Sequence, residues 1–161
     1  MKKVAQELQE TVAYVMPFLN AISPSEAAEK PLVNKWSKKE ILGHLIDSAG
    51  NNQQKFVRMM AQPHIDFEGY AQVHWVQSQH YQTAEWADLI GLWGAFNGHL
   101  AHIITYTDAT HLQNTIMIDG EGPFTLEFLM MDYVAHVKHH LKQILPSLSL
   151  ENSFLNVYNN A

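Results

Sequence analysis

The sequence predicts an all-α protein: an antiparallel four-helix bundle with long connections between some of its helices, built as a single domain over residues 1–161. Two observations predict it. Four segments carry apolar residues at helical spacing, each closed by a proline or glycine signal. No strand–turn–helix alternation, glycine-rich phosphate loop, nucleophile elbow or dinucleotide fingerprint interrupts them. A chain of 161 residues with 47% hydrophobic and 16% charged residues is long and apolar enough for one proper core.

The first helix is expected from about Lys3 to Ala21, with Val4, Leu8, Val12, Val15, Phe18 and Leu19 on one stripe, closed by Ser23-Pro24. The second starts sharply, because Ser37-Lys38-Lys39-Glu40 fits a capping box; it runs through Ile41, Leu45 and Phe56 to about Met60, before Gln62-Pro63. The stretch from His64 to Gln82 is aromatic and without period, and reads as a cover on one end of the bundle or a wall of a cleft. The third helix is expected from about Ala84 to Tyr106 on a Trp86, Ile90, Trp93, Leu100, Ile104 stripe. Its Gly91, Gly94 and Gly98 cost roughly 1 kcal/mol each against alanine, so a close-approaching helix is expected there, from the bundle or from a dimer partner. Thr115–Ile118 reads as a short extended piece in the next connection. The fourth helix runs from near Thr125 to Leu145, stopped by Pro146, with a short tail over residues 147–161.

A formal net charge of −6 with no basic run excludes a phosphate-tracking surface, so nucleic acid is not an expected partner. No cysteine is present, which excludes disulfides, thiolate ligands and a cysteine nucleophile. Met1–Leu19 lacks the apolar centre of a signal peptide, and no apolar run approaches the ~20 residues of a membrane span. A cytoplasmic location without membrane attachment is the expectation.

Ten histidines are the compositional oddity. His136 and His140, four apart in Asp132-Tyr133-Val134-Ala135-His136-Val137-Lys138-His139-His140, stand about 40° apart on one helical face and can converge on one ion. Leu129, Tyr133 and Ile144 share that face, which points it toward the bundle interior. His139 is displaced by about 60° and fits the same site less well. Alone, the pair equally suits histidines held near a helix C-terminus by the dipole. A third ligand is needed for an open metal site, and His44 is the candidate. The helical wheel places His44 with Glu40, Ser48, Asn51 and Lys55, a polar stripe that faces either solvent or a water-filled cleft. His99 and His102 lie off the third helix's stripe, and His64, His74, His80 and His111 fall in or near loops. Asp132 is placed to orient a ligand histidine or to lie on the surface, and Asn97 to meet substrate or to pair within the bundle.

The run WSKKEILGHLIDSAGNN, Trp36 to Asn52, resembles the second-helix signature of the DinB/YfiT-like superfamily, and DYVAHVKHHLKQIL, Asp132 to Leu145, resembles its fourth-helix signature. Trp75, Trp93 and Asn97 are softer points of likeness. The resemblance implies a bundle holding one divalent metal, zinc or nickel, on the histidine of GHLIDS and the first and last histidines of HVKHH: His44, His136 and His140. It also implies pairing into a homodimer. Members include hydrolases, small-thiol transferases and an isomerase, so the reaction is left open.

Three neutral imidazoles leave the ion its full charge and an open position for water or for an external small thiol. Hydrolysis of an unidentified small molecule is the first expectation, small-thiol S-transfer the second, and a non-catalytic metal-binding or interaction module the third.

Overall fold

The computed structural model describes residues 1–151; the end of the expected tail, 152–161, lies outside the described residues. The helices are α1 (Lys2–Ala21), α2 (Pro24–Ala28), α3 (Lys38–Ala61), α4 (Gln72–Ser78), α5 (Trp86–Tyr106) and α6 (Leu126–Ile144). The strands are β1 (His64–Phe67), β2 (Thr115–Ile118) and β3 (Glu121–Thr125). The four long helices form the bundle, and their ends fall within one or two residues of the sequence expectation. The capping box is present: Glu40 N–H donates to Ser37 Oγ at 3.2 Å, and Ser37 N–H donates to Glu40 Oε2 at 2.8 Å.

The long helices pack in a ring, α1 on α5, α5 on α3, α3 on α6 and α6 on α1. α1 and α5 are antiparallel, since Trp86 Nε1 at the start of α5 donates to Leu19 O at the end of α1, at 3.0 Å. α3 and α6 are antiparallel too, with His44 against His140 near one end and Phe56 against Tyr133 further along. α3 and α5 run the same way: Gly50 lies beside Phe96, and Met60 Sδ beside Thr107 Oγ1. A parallel neighbour forces the chain to return the length of α3 before α5 can begin, about 36 Å for a helix of 24 residues. That return is the aperiodic stretch after Pro63. It holds β1, α4 and a 3₁₀ turn at Tyr81–Thr83.

The small sheet, in the order β1-β2-β3, closes the end of the bundle where α3 and α5 finish. β1 pairs with β2 in parallel, Ile65 opposite Ile116, and the side chains of both are buried. β2 and β3 form a hairpin across Asp119-Gly120, both at positive φ (50° and 85°), the two-residue turn whose twist matches the strands. Of the α5 glycines only Gly94 is closely approached, by Met16 of α1 at 3.2 Å from a built Cβ; Gly91 and Gly98 face open space. Close packing within the bundle therefore accounts for one glycine of the three. No helix among the described residues is long and apolar enough to cross a membrane.

Candidate metal centre

The side chains of His44, His136 and His140 meet between α3 and α6, with one ring nitrogen from each inside 4.8 Å of the others. No other such group of metal-binding side chains occurs among the described residues. His44 is 1% exposed. The wheel's polar stripe therefore faces inward: α3 is buried on every side from Lys39 to Ala49, because α2, α4 and the 3₁₀ turn pack on it as well as α5 and α6.

His44 Nε2 and His136 Nε2 are 3.3 Å apart. Two nitrogens each ~2.0–2.1 Å from one tetrahedral ion stand about 3.3 Å apart, so this pair already has ligand spacing. The ring centroids of His44 and His140 are 4.7 Å apart, and those of His136 and His140 4.6 Å. The outer nitrogens are held separately. His136 Nδ1 faces Ser48 Oγ at 3.3 Å, and Ser48 Oγ also accepts from Asn52 Nδ2 at 3.3 Å. His140 Nδ1 faces Gln143 Oε1 at 3.0 Å, and the Gln143 amide reaches His139 Nε2 at 3.2 Å. An Nδ1–H donated to Ser48 or Gln143 leaves the Nε2 lone pair free for an ion, the usual device for fixing a ligand tautomer. Among the described residues His44 Nδ1 has no hydrogen-bond partner; its ring is set by packing on Trp36, centroids 5.2 Å apart.

Burial, with the neighbouring His140 charge, lowers the His44 pKa from 6.5 to about 4. Burial is also the main cause at His136, which lies well below 6.5, and at His140, where Gln143 partly offsets it. Three neutral imidazoles at ordinary pH are the protonation state a cation needs. Without metal, the unfolded chain takes up protons on these groups that the folded protein refuses. Stability is then complete above pH 6.5 and falls as pH drops from 6.5 to about 4. Urea midpoints of the metal-free protein across that window should show this slope, and His44→Gln should make it shallower, with His136 and His140 still contributing.

The GHLIDS run reads physically. Gly43 leaves room for the Tyr81 ring, since a Cβ there would come closer than 3.0 Å to three of its carbons. Asp47 Oδ1 accepts from Tyr81 Oη at 2.7 Å and from Gln79 Nε2 at 2.6 Å. These contacts pin the returning connection onto α3 beside His44. Burial raises the Asp47 pKa, opposed by the two hydrogen bonds.

Gln143, Tyr81 and Gln79 are absent from the sequence expectation. Gln143 had a signal, three residues from His140 and four from His139 on one helix; Tyr81 had none. Asn97 pairs within the bundle, accepting from Tyr133 Oη at 2.7 Å. His99 and His102 are exposed on α5, His64 meets Thr115 Oγ1, His74 meets Ser78, and His80 and His111 sit at turns; none joins the cluster. A cavity of about 240 Å³ opens beside His136 between α3 and α6, with Ser48, Lys55, Tyr70, Phe128 and Asp132 among its walls. A larger groove of about 510 Å³ lies away from the histidines, between α1 and the segment after α6.

Fold and site together define a helical-bundle protein with a three-histidine candidate metal centre. The chain belongs to the DinB superfamily, whose family model matches residues 7–144. It is similar in fold to YfiT from Bacillus subtilis, a probable metal-dependent hydrolase with an unusual four-helix bundle topology, at a TM-score of 0.81 over 89% of this chain and 83% of that one. Identity between the two is 20%, so the likeness concerns the fold. A search of curated proteins gives no match.

Proposed function

We propose that this protein is a metal-dependent hydrolase of a small organic substrate, with a divalent ion, zinc or nickel, held by His44, His136 and His140. The carrying observation is the convergence of three neutral imidazole nitrogens inside 4.8 Å, two of them already at ligand spacing. The description of YfiT as a probable metal-dependent hydrolase supports the same reading. A bound ion would polarise a carbonyl and lower the pKa of water toward ~7.

The chain's own groups do the rest. Ser48 and Gln143 hold the two α6 rings in the tautomer that presents Nε2. Trp36 fixes the His44 ring by contact. Phe124, Phe128, Leu129 and Ile118 give the adjoining cleft apolar walls that displace water from a bound substrate. Ser48→Ala and Gln143→Ala should each weaken metal affinity by about 10–100-fold with the fold intact, measured by competition with a chromophoric chelator.

The deciding experiment is elemental analysis of protein purified without a metal-affinity tag, followed by assay on an activated ester with and without a small thiol. One divalent ion per chain and thiol-independent turnover that stops on chelation is the expected result. Turnover with thiol alone would make the protein a small-thiol transferase, and metal-independent turnover would remove the centre from the chemistry.

A further inference from the structure

We infer that the cleft beside the histidines receives the far end of its substrate as a zwitterion, an ammonium–carboxylate head of the α-amino-acid kind, with Lys55 and Asp132 as specificity-determining residues. The inference rests on the metal-centre reading for what stands at the cleft's other end.

The two walls are antiparallel helices whose stripes match. On α3 the order is His44, Ser48, Lys55; on α6, running against it, His140, His136, Asp132. Ser48 meets His136 at 3.3 Å, and residues 48 to 55 span about 10 Å of helix. Asp132 lies one turn, about 6 Å, from His136. Both Lys55 and Asp132 line the cavity. A substrate reacting at the histidines and roughly 10 Å long therefore ends between one positive and one negative wall.

Lys55 has an unmet need there. Among the described residues its ammonium makes no ion pair or hydrogen bond, and the Phe67 ring stands 5.4 Å away. Burial works against its charge, while the fields of Asp132 and Asp119 favour it. An incoming carboxylate would supply the acceptor that this partly buried donor lacks. A simple anion is nevertheless a poor fit. Asp132 and Asp119 both act on this spot, and the whole chain carries −6. A lone cation is attracted by Asp132 and repelled by Lys55. A head bearing both charges meets Lys55 with its carboxylate and the field of Asp132 with its ammonium, and Phe128, Leu129 and Ile118 accommodate an apolar body between head and reacting group.

The test uses three hydroxamates of equal chain length, whose hydroxamate end binds metal: 2-aminosuberic acid ω-hydroxamate, suberic acid monohydroxamate and octanohydroxamate. Calorimetric titration of the zinc-loaded protein should show the amino-acid head binding at least ~10-fold more tightly than the other two. Lys55→Met and Asp132→Asn should each reduce that preference below ~3-fold, with metal content and octanohydroxamate affinity unchanged. A carboxylate head that binds as tightly as the amino-acid head, or a preference retained by both variants, overturns the inference. A metal-free measurement separates it from the metal reading. Chelator-treated protein should gain thermal stability from 2-aminooctanoate but not from octanoate, and equal or absent shifts overturn the head-group claim. Absent metal, with all three hydroxamates failing to bind, would count against the metal centre, leaving the thermal shifts to decide the head group.

Discussion

Replacing His136 by alanine is expected to weaken metal binding by roughly 10²–10³-fold and to reduce hydrolysis to the level of the metal-free protein. Structural zinc sites bind with about 10–16 kcal/mol over four ligands, so one imidazole contributes about 2.5–4 kcal/mol, close to that factor in Kd. His136 is chosen because it faces both other parts of the arrangement, His44 at 3.3 Å and Ser48 at 3.3 Å. Circular dichroism should show the helices intact. The controls are His99→Ala, exposed on α5, and His139→Ala, whose ring lies beside His140 (centroids 5.0 Å apart) and meets the Gln143 amide. The first should leave metal content at one per chain, and the second should cost less than about 10-fold in affinity. Metal content retained in His136→Ala would show that the three rings gather for another reason.

The fourth-helix pair was legible from spacing alone, because residues four apart on a helix must share a face whatever surrounds it. His44 was not. Amphipathic reasoning assumes that a helix has one wet side, and over Lys39–Ala49 α3 has none. Its polar stripe is enclosed by α6, and the same stripe further along, at Lys55, forms the wall of a cleft. The need for a third ligand made His44 a candidate, and the likeness of the WSKKEILGHLIDS run to a known signature favoured the cleft over the solvent for its stripe. The small sheet was half legible. Thr115–Ile118 reads as extended, but its partner His64–Phe67 lies in a stretch without period, and a parallel pairing between such distant four-residue segments leaves no local mark. The parallel run of α3 and α5 was likewise invisible, although its consequence, the long connection after Pro63, was plain.

Gly43→Ala should be the most destabilising small substitution near the site, and opposing magnitudes set its sign. Alanine in a helix interior gains about 1 kcal/mol over glycine. Against this, the new Cβ would come closer than 3.0 Å to Cγ, Cδ2 and Cε2 of Tyr81, the rigid part of that ring. Overpacking a filled core costs about 1–3 kcal/mol. A displaced Tyr81 also withdraws its hydroxyl from Asp47 Oδ1, which keeps the Gln79 amide, and the lost hydrogen bond costs about 0.5–1.5 kcal/mol more. The net expectation is a loss of about 0.5–3.5 kcal/mol, with Tm falling by roughly 1–14 °C for a chain of this size. Tyr81→Ala alone should cost about 3–5 kcal/mol, as removal of a buried aromatic does. The double variant Gly43→Ala/Tyr81→Ala should cost at least ~1 kcal/mol less than the sum, because the clash disappears with the ring. Additive losses in urea titrations would mean that Gly43 is needed for something other than Tyr81. Because His44 is the next residue on the same turn, the single variant should also bind metal more weakly, and Tyr81→Phe, which keeps the ring and removes only the hydroxyl, should leave metal affinity within about 3-fold of the parent.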